Sequence, residues 1–309
     1  MSKSNKLIFH IGAVFMILVW GGSFINTKIL LNNGLNPVEI YVSRFIIAYL
    51  GLLCISHKKF FSSNIKDEFY LFLGGLTGGS LYFITENTAL KLTLVSDVAI
   101  IVSIAPLLTA LLATSLYKDE KFKLPTIIGS LIALSGVTLV VFNGNVEIGN
   151  NIPGDLLAIA AALSWALYCI ILKKLYKKYD TIYITRKIFF YGLLSALPFL
   201  LTEENGINFK ALAIPAVYLN LIYLGVFASM VCFLLWSIII KEIGAVRASN
   251  YLYLGPVISL IASVVFLNET ISIAAYFGFV CVISGLIIAE KVNPLAINFL
   301  RISSLFKRK

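Results

Sequence analysis

The chain has 309 residues, of which 59% are hydrophobic and 13% are charged, and its mean hydropathy is +0.93. Soluble domains are roughly 45–50% apolar and about 25% charged, so this composition excludes an ordinary soluble fold. The formal net charge of +10 does not indicate nucleic-acid binding. The basic residues lie in short segments between hydrophobic runs, where positive charge sets the topology of a membrane protein.

Ten apolar stretches follow one another along the chain, each near the roughly 20 residues that cross a bilayer as a helix. Continuous apolar runs, rather than alternating ones, favour helices over a β-barrel. The sequence therefore predicts an all-α membrane protein with ten transmembrane helices. The predicted spans are residues 7–31, 38–56, 70–90, 94–117, 124–142, 156–175, 184–201, 217–240, 245–267 and 271–289.

Lysine and arginine are concentrated in alternate connections between these spans. The end of the sixth span and the connection after it contain Lys173, Lys174, Lys177 and Lys178, whereas residues 143–155 contain no basic residue. The positive-inside rule then places both termini in the cytoplasm, which requires an even number of spans. The sequence thus predicts a multi-pass protein of the cell (inner, cytoplasmic) membrane. Residues 292–309 are expected to form a basic cytoplasmic tail, either disordered or lying on the anionic inner leaflet.

The two halves of the chain resemble each other. Residues 96–106 match residues 246–256 at an offset of 150, and Trp20 and Arg44 have counterparts in Trp165 and Arg186. Each half contains five spans, and because five is odd the second copy enters the membrane in the opposite orientation. We predict two inverted-topology repeats, 1–143 and 150–291, around a central cavity that opens to either side by rocking.

Several short motifs carry a resemblance to a known family. They are Trp-Gly-Gly-Ser-Phe at 20–24, Glu-Asn-Thr-Ala-Leu at 86–90, Pro106 followed by Glu120, and Pro256 followed by Glu269. In this order and spacing, the chain resembles the EamA-type ten-span branch of the drug/metabolite transporter (DMT) superfamily, from about residue 7 to residue 291. The resemblance implies a central cavity between two bundles and the export or permeation of amino acids, amines or related metabolites.

Three ionisable side chains lie inside predicted spans near the external side: Glu86, Asp97 and Arg44. Such groups cost roughly 2.5–3.5 kcal/mol on insertion scales, so each needs a reason. One interpretation is that Glu86, with or without Asp97, takes a proton or contacts a cationic substrate, while Arg44 tunes that carboxylate. The other is a permanent Arg44–Glu86 ion pair, or exposure to water at the outer mouth.

Further candidates are aromatic and small polar residues in the spans. Aromatic rings can enclose an amphipathic solute, and a few polar groups can orient it. Trp236 is more typical of an interfacial anchor, because it lies near the end of a span. The substrate-site candidates are Trp20, Asn87, Ser103, Trp165, Tyr168, Asn250 and Tyr253.

Pro106 and Pro256 fall near the middle of equivalent spans, where a proline removes a backbone hydrogen bond and kinks the helix. We expect them to act as hinges or to shape the cavity, with simple packing as the alternative. The glycine pairs Gly129/Gly136 and Gly278/Gly285 each lie on one helix face and predict close helix packing.

No phosphate-binding loop, nucleophile motif or metal-ligand spacing occurs in the sequence, so no cofactor, metal or enzymatic activity is expected. The leading hypothesis is a secondary transporter of a small organic metabolite, coupled to protons or working by exchange, as a monomer or homodimer. A flippase for lipid headgroups or lipid-linked substrates is the alternative. An intramembrane enzyme ranks third, because it needs clustered carboxylates or histidines.

Overall fold

The computed structural model describes residues 3–56, 60–117, 124–142, 151–201, 208–258, 261 and 272–290. Within these ranges the chain forms helices and no strand. The motif residues Glu120 and Glu269 and the predicted tail, 292–309, lie outside the described residues. The helices are α1 (Lys3–Asn32), α2 (Pro37–Ile55), α3 (65–92), α4 (Val95–Val102), α5 (Ala105–Leu116), α6 (Leu124–Phe142), α7 (Ile152–Leu175), α8 (Thr181–Leu201), α9 (Phe209–Leu212), α10 (Pro215–Ile243), α11 (Ala245–Asn250) and α12 (Ile273–Glu290).

Seven stretches of helix in the described part are long and apolar enough to cross a membrane. They correspond to the predicted spans one, two and four to eight, so the all-helical membrane class is confirmed. The third predicted span is α3, which has charged residues in its first turn, and the tenth is α12, whose apolar part, Ile273–Ala289, is shorter. The ninth lies partly outside the described residues, so a total of ten spans stays a prediction.

Asparagine side chains begin several of these helices. Asn36 accepts a hydrogen bond from the backbone N–H of Glu39, and the Glu39 carboxylate accepts one from the backbone N–H of Asn36, with Pro37 at the first helical position. Asn151 likewise accepts from Gly154 at the start of α7. These caps satisfy backbone donors that have no partner inside the helix.

Two helices contain π-helical segments at corresponding places. In α3 the segment is Leu76–Ser80, and in α10 it is Tyr223–Val231. An offset of 150 aligns Gly75 with Gly225 and places the first segment inside the second. The same irregularity therefore occurs in the third predicted span of both halves.

The helix that carries each candidate hinge proline is also interrupted. Residues 103 and 104 separate α4 from α5, and Pro106 lies in the first turn of α5. At the equivalent place in the second half, α11 ends at Asn250 and a 3₁₀ turn spans Tyr251–Tyr253. The chain is α-helical again over residues 254–258, which include Pro256. A proline in a first turn loses no helical hydrogen bond, because its N–H would be unpaired there anyway.

Helices from the two halves exchange equivalent contacts. Helix α1 packs on α10, and its counterpart α7 packs on α3; α2 packs on α8, and α6 packs on α12. The α6–α12 contact is backbone to backbone at the predicted glycines: a β-carbon on Gly136 would lie 2.6 Å from the Gly278 carbonyl oxygen. The core between α1, α2, α3, α7, α8 and α10 consists mainly of aromatic and aliphatic side chains.

We predict that Gly136→Ala lowers the stability of the purified protein by about 1–3 kcal/mol, because the added methyl group meets backbone atoms that cannot rotate away. Gly12→Ala is the matched control, since its nearest neighbour would be the Ile239 Cδ1 atom at 4.0 Å. Thermal unfolding in detergent compares the two. Equal melting temperatures for both variants would contradict the close α6–α12 packing.

Candidate functional site

Three tryptophans meet at the junction of the two halves. Trp20 of α1, Trp165 of α7 and Trp236 of α10 have ring centroids 5.4, 5.6 and 5.5 Å apart in the three pairings. They are all the tryptophans of the chain. Phe233 packs against Trp165 at 5.7 Å and against Trp20 at 6.0 Å. We call these three indoles the tryptophan cluster.

Glu86 is connected to the tryptophan cluster through Tyr82. The Tyr82 hydroxyl donates a hydrogen bond to Glu86 Oε1, and the Tyr82 ring lies 4.9 Å from the Trp165 ring. Tyr82 and Glu86 are four positions apart in the sequence, so both lie on the same face of α3. Glu86 is 6% exposed, which places a carboxyl group inside the bundle next to aromatic rings.

Arg44 is the second buried ionisable group near this point. Its Nε atom donates to Ser229 Oγ at 2.9 Å, and its guanidinium carbon lies 4.4 Å from the centroid of the Phe83 ring. Ser229 belongs to the π-helical segment of α10. Glu86 and Arg44 are close enough for their charges to interact, but the ion pairs within 4.0 Å between described side chains do not include them. The direct Arg44–Glu86 ion pair considered from the sequence is therefore not formed in this structure.

Tyr168 also joins the tryptophan cluster, with its ring 5.2 Å from Trp165. The indole nitrogen of Trp165 is buried and finds no hydrogen-bond partner among the described residues. Buried polar groups are normally paired. Trp165 therefore brings a buried N–H donor to the cluster that no acceptor of the described residues uses.

The other candidates bond a backbone carbonyl or a neighbouring side chain, or lie elsewhere. Asn87 donates to the Pro37 carbonyl oxygen at 3.1 Å, and Ser103 donates to that of Ala99 at 2.7 Å. Thr93 donates to Asp97 in the first turn of α4 at 3.3 Å. These bonds are those expected of residues that stabilise helix ends and contacts.

Asn250 and Tyr253 lie in and after α11. Asn250 is 1% exposed, and its side-chain oxygen has no partner in the described part of the chain. Tyr253 packs among valines between α6 and α12, including Val137, Val140 and Val282. The structure does not bring Tyr253 into the tryptophan cluster.

Sequence reasoning gave Trp236 little weight and did not name Tyr82, although both belong to the candidate site. Trp236 is fully buried, so it is not an interfacial anchor. A signal was present, because Trp236 lies 150 positions after Glu86 and is its counterpart in the second half. Tyr82 lies one helical turn before Glu86, where a side chain can reach the carboxylate.

Ion pairs close the predicted cytoplasmic end of the bundle. Asp67 and Glu68, in the first turn of α3, pair with Lys178 after α7 and with Lys187 of α8; the first pair measures 2.9 Å. Tyr179 donates to Asp67 at 3.0 Å, and Tyr191 donates to Glu68. These contacts join the first half of the chain to the second.

Hydrogen bonds between charged side chains and backbone groups, together with apolar contacts, hold the opposite end. The Asn208 backbone N–H donates to the Glu39 carboxylate, and Lys28 donates to the Leu90 carbonyl oxygen at 2.6 Å, which caps α3. Leu30, Leu35, Ile40, Ala211, Val217, Leu221, Leu224 and Ala228 form an apolar cluster beside them. The two ends of the bundle therefore differ in the chemistry that closes them.

The hydrogen bonds at the ion-paired end shift the pKa of both carboxyls. The bond from Lys178 lowers the pKa of Asp67. Burial alone raises the pKa of Glu68, but hydrogen bonds from Lys187, Tyr191 and Ser62 outweigh it and lower that pKa to about 2. Both carboxylates are thus charged throughout the physiological range.

Comparison with known proteins agrees with this architecture. Residues 7–142 and, separately, residues 152–291 match the EamA-like transporter family. The chain belongs to the EamA-like transporter family. The resemblance noted from the sequence motifs is thereby confirmed.

Relatives of known sequence are described as transporters. An "Uncharacterized transporter" of Archaeoglobus fulgidus is 27% identical over 282 residues, which are 89% of this chain and 95% of the relative. The "Uncharacterized transporter YetK" of Bacillus subtilis is 29% identical over 262 residues, 81% of this chain and 78% of YetK. A crystal structure with 20% identity matches with a TM-score of 0.74, over 95% of this chain and 99% of that chain, and supports the fold.

We expect Glu68→Gln to lower the melting temperature by a few degrees at pH 7. The pKa of Glu68 in the folded protein, about 2, lies below its ordinary value of 4.5. The stability that the Glu68 carboxylate contributes is therefore fully present above pH 4.5 and is lost as the pH falls towards about 2. The difference from the unchanged protein should therefore shrink at pH 3. Glu242→Gln, at the end of α10, removes a carboxylate outside the Glu68 cluster and is the matched control. A pH-independent difference for Glu68→Gln would contradict the assignment.

Proposed function

We propose that the protein is a secondary active transporter, an exporter or permease, that moves small organic metabolites such as amino acids or amines by alternating access. The observation that carries the proposal is the placement of Glu86 and Arg44 inside the bundle, beside a tryptophan cluster to which both halves contribute. Ionisable groups buried at membrane depth are costly and typically mark substrate or ion pathways.

The proposed architecture is ten spans in two inverted repeats, 1–143 and 150–291, with both termini and the tail, 292–309, in the cytoplasm. Family matches to each half support it, as do the corresponding π-helical segments and helix interruptions. The exchange of equivalent contacts, α1 with α10 and α7 with α3, supports a site on the axis between the repeats. In the cell membrane, rocking of the repeats exposes that site to one side at a time.

The chemistry of the site favours a solute with a positively charged nitrogen and an apolar body. Indole faces attract cations and pack well on apolar surface. The Glu86 carboxylate can pair with the ammonium group of a solute, or can take up a proton when no solute is bound. One residue can therefore couple transport to protons or to the exchange of solutes. The charge of Arg44 suits the carboxylate of a zwitterionic solute such as an amino acid, because guanidinium and carboxylate groups pair in bidentate geometry.

We predict that Glu86→Gln lowers transport in proteoliposomes at least tenfold and removes its pH dependence, while the protein stays folded. Asp97→Asn is the matched control, because Asp97 accepts from Thr93 in the first turn of α4 and should affect transport less. Uptake is measured at several pH values, with monodispersity in detergent as the test of folding. Normal, pH-sensitive uptake by folded Glu86→Gln protein would contradict the proposed role of Glu86.

The substrate class is tested by thermal stability of the purified protein in a panel of amino acids, polyamines, choline-like cations, nucleosides and sugars. A ligand that binds only the folded state raises the free energy of unfolding, by about 2.7 kcal/mol at a hundred times its Kd. We expect amino acids or amines to stabilise the protein, less so in Glu86→Gln. Stabilisation by sugars or nucleosides alone would contradict the proposed class, and headgroup-dependent stabilisation by lipids would favour a flippase.

The prolines provide a second test of alternating access. Pro106→Ala and Pro256→Ala should each change the turnover rate several-fold with little change in the substrate concentration for half-maximal uptake, because they alter helix interruptions rather than the tryptophan cluster. Unchanged turnover in both variants would leave the prolines as packing residues.

A further inference from the structure

Each π-helical segment releases one backbone carbonyl from its helix. In α3, the N–H of Leu81 donates to the Leu76 carbonyl, five residues back, so the Thr77 carbonyl loses the donor that an α-helix would provide. The Ser164 hydroxyl of α7 donates to the Thr77 carbonyl at 2.8 Å. A side chain of the second half thus replaces the missing backbone donor of the first.

The same substitution occurs in α10 with the halves reversed. The N–H of Cys232 donates to the carbonyls of Phe227 and Ser229, so the carbonyl of Ala228 loses its α-helical donor. Trp20 Nε1 of α1 donates to the Ala228 carbonyl at 2.8 Å. Here a side chain of the first half replaces the missing donor of the second.

The two arrangements are out of register by one residue. An offset of 150 pairs Ala228 with Gly78, not with Thr77, and an offset of 145 pairs Trp20 with Trp165, not with Ser164. The released carbonyl and its donor are therefore both one residue further along in the second arrangement. Trp165 has a buried Nε1–H without a partner among the described residues, although its counterpart Trp20 is bonded.

We propose that both π-helical segments shift by one residue as the transporter alternates, and that Trp20 and Trp165 make their carbonyl hydrogen bonds in opposite states. The inference rests on the proposed function, because inverted repeats that exchange conformations convert one state into the other. In the exchanged state α3 releases the Gly78 carbonyl, which accepts from Trp165 Nε1. At the same time α10 restores the Ala228 bond, and Trp20 loses its acceptor.

The residues at positions 19 and 164 make the two states of the switch unequal in their number of side-chain hydrogen bonds. In the exchanged state α10 releases the Phe227 carbonyl, and the residue placed to bond it is Val19, the counterpart of Ser164, which has no donor. Two side-chain bonds therefore hold the described state and one holds the exchanged state. This set of bonds favours the described state, in which the ion pairs of Asp67 and Glu68 close the predicted cytoplasmic end.

The test uses a single reporter, Tyr183→Cys, in protein whose four native cysteines are replaced. Tyr183 is 5% exposed near the ion-paired end, so labelling by a water-soluble maleimide reports opening of that end. Trp20→Phe and Ser164→Ala each remove a bond of the described state and should raise the labelling rate about fivefold, the equivalent of one net hydrogen bond. Trp165→Phe removes the bond of the exchanged state and should lower the rate by a similar factor.

The opposite signs separate the switch from packing, because Trp20→Phe and Trp165→Phe remove similar ring area. Rates that change in the same direction, or no change in any variant, would overturn the proposal. Solute uptake by the unchanged protein tests the proposed function separately. Uptake without opposite effects on the labelling rate rejects only the switch. Absence of uptake for every solute rejects the transporter function.

A second measurement needs no tryptophan substitution. Protein with ¹⁵N-labelled indoles is compared with the same protein carrying Glu68→Gln, which weakens the buried Lys187–Glu68 pair at the closed end. Two of the three indole N–H signals should move in opposite directions, as one hydrogen bond is lost and another is formed. Movement of both in the same direction, or of neither, would overturn the switch.

Discussion

In the hydrocarbon interior of a membrane, a backbone carbonyl that loses its helical donor has no water to replace that donor. Regular helix avoids the problem, but this protein departs from regular helix in the third predicted span of each half and near Pro106 and Pro256. Ser164 and Trp20 supply the missing donors at two released carbonyls. In the described part of the chain, a helix of the other half packs on each of these irregular segments, so the contact between halves is a condition for the fold.

The same contact creates the polar site. Ser229 follows the released carbonyl of Ala228 in α10, and its hydroxyl accepts from Arg44. Trp20, whose indole bonds that carbonyl, also packs on Trp165, against which Tyr82 and thus Glu86 are placed. Backbone irregularity, buried charge and aromatic surface therefore form one continuous structure across the repeat junction. A movement of one half against the other necessarily affects all three.

Closure of the ion-paired end has a different physical basis. Lys187 is only 4% exposed, so its ammonium group is largely removed from water. Its partner, the Glu68 carboxylate, also accepts a hydrogen bond from Tyr191. Lys178, in contrast, is half-exposed, and its pair with Asp67 is screened. Breaking the Glu68 cluster leaves buried groups unpaired unless water enters, which couples opening of this end to hydration of the space below it.

Much of the fold follows from local sequence, because a membrane helix must satisfy its own backbone and cover itself with apolar side chains. Composition, apolar runs and the motifs around Trp20, Glu86 and Pro106 were sufficient for the helical membrane class and for the family. The glycine pairs of α6 and α12 also predicted a close contact, since two glycines seven residues apart share a helix face.

The partners of the polar residues were decided only by tertiary structure. The helical period of 3.6 residues predicts which face of a helix a residue occupies, but not which distant helix that face meets. The sequence therefore did not show that Asn87 bonds the Pro37 carbonyl, that Tyr253 lies among valines, or that Trp236 completes the tryptophan cluster. The π-helical segments likewise have no sequence pattern of their own here, because they depend on side chains of the other half that bond the released carbonyls. The sequence by itself determined what the helices are made of and that they cross a membrane; the packing of two similar halves decided which of their polar groups meet.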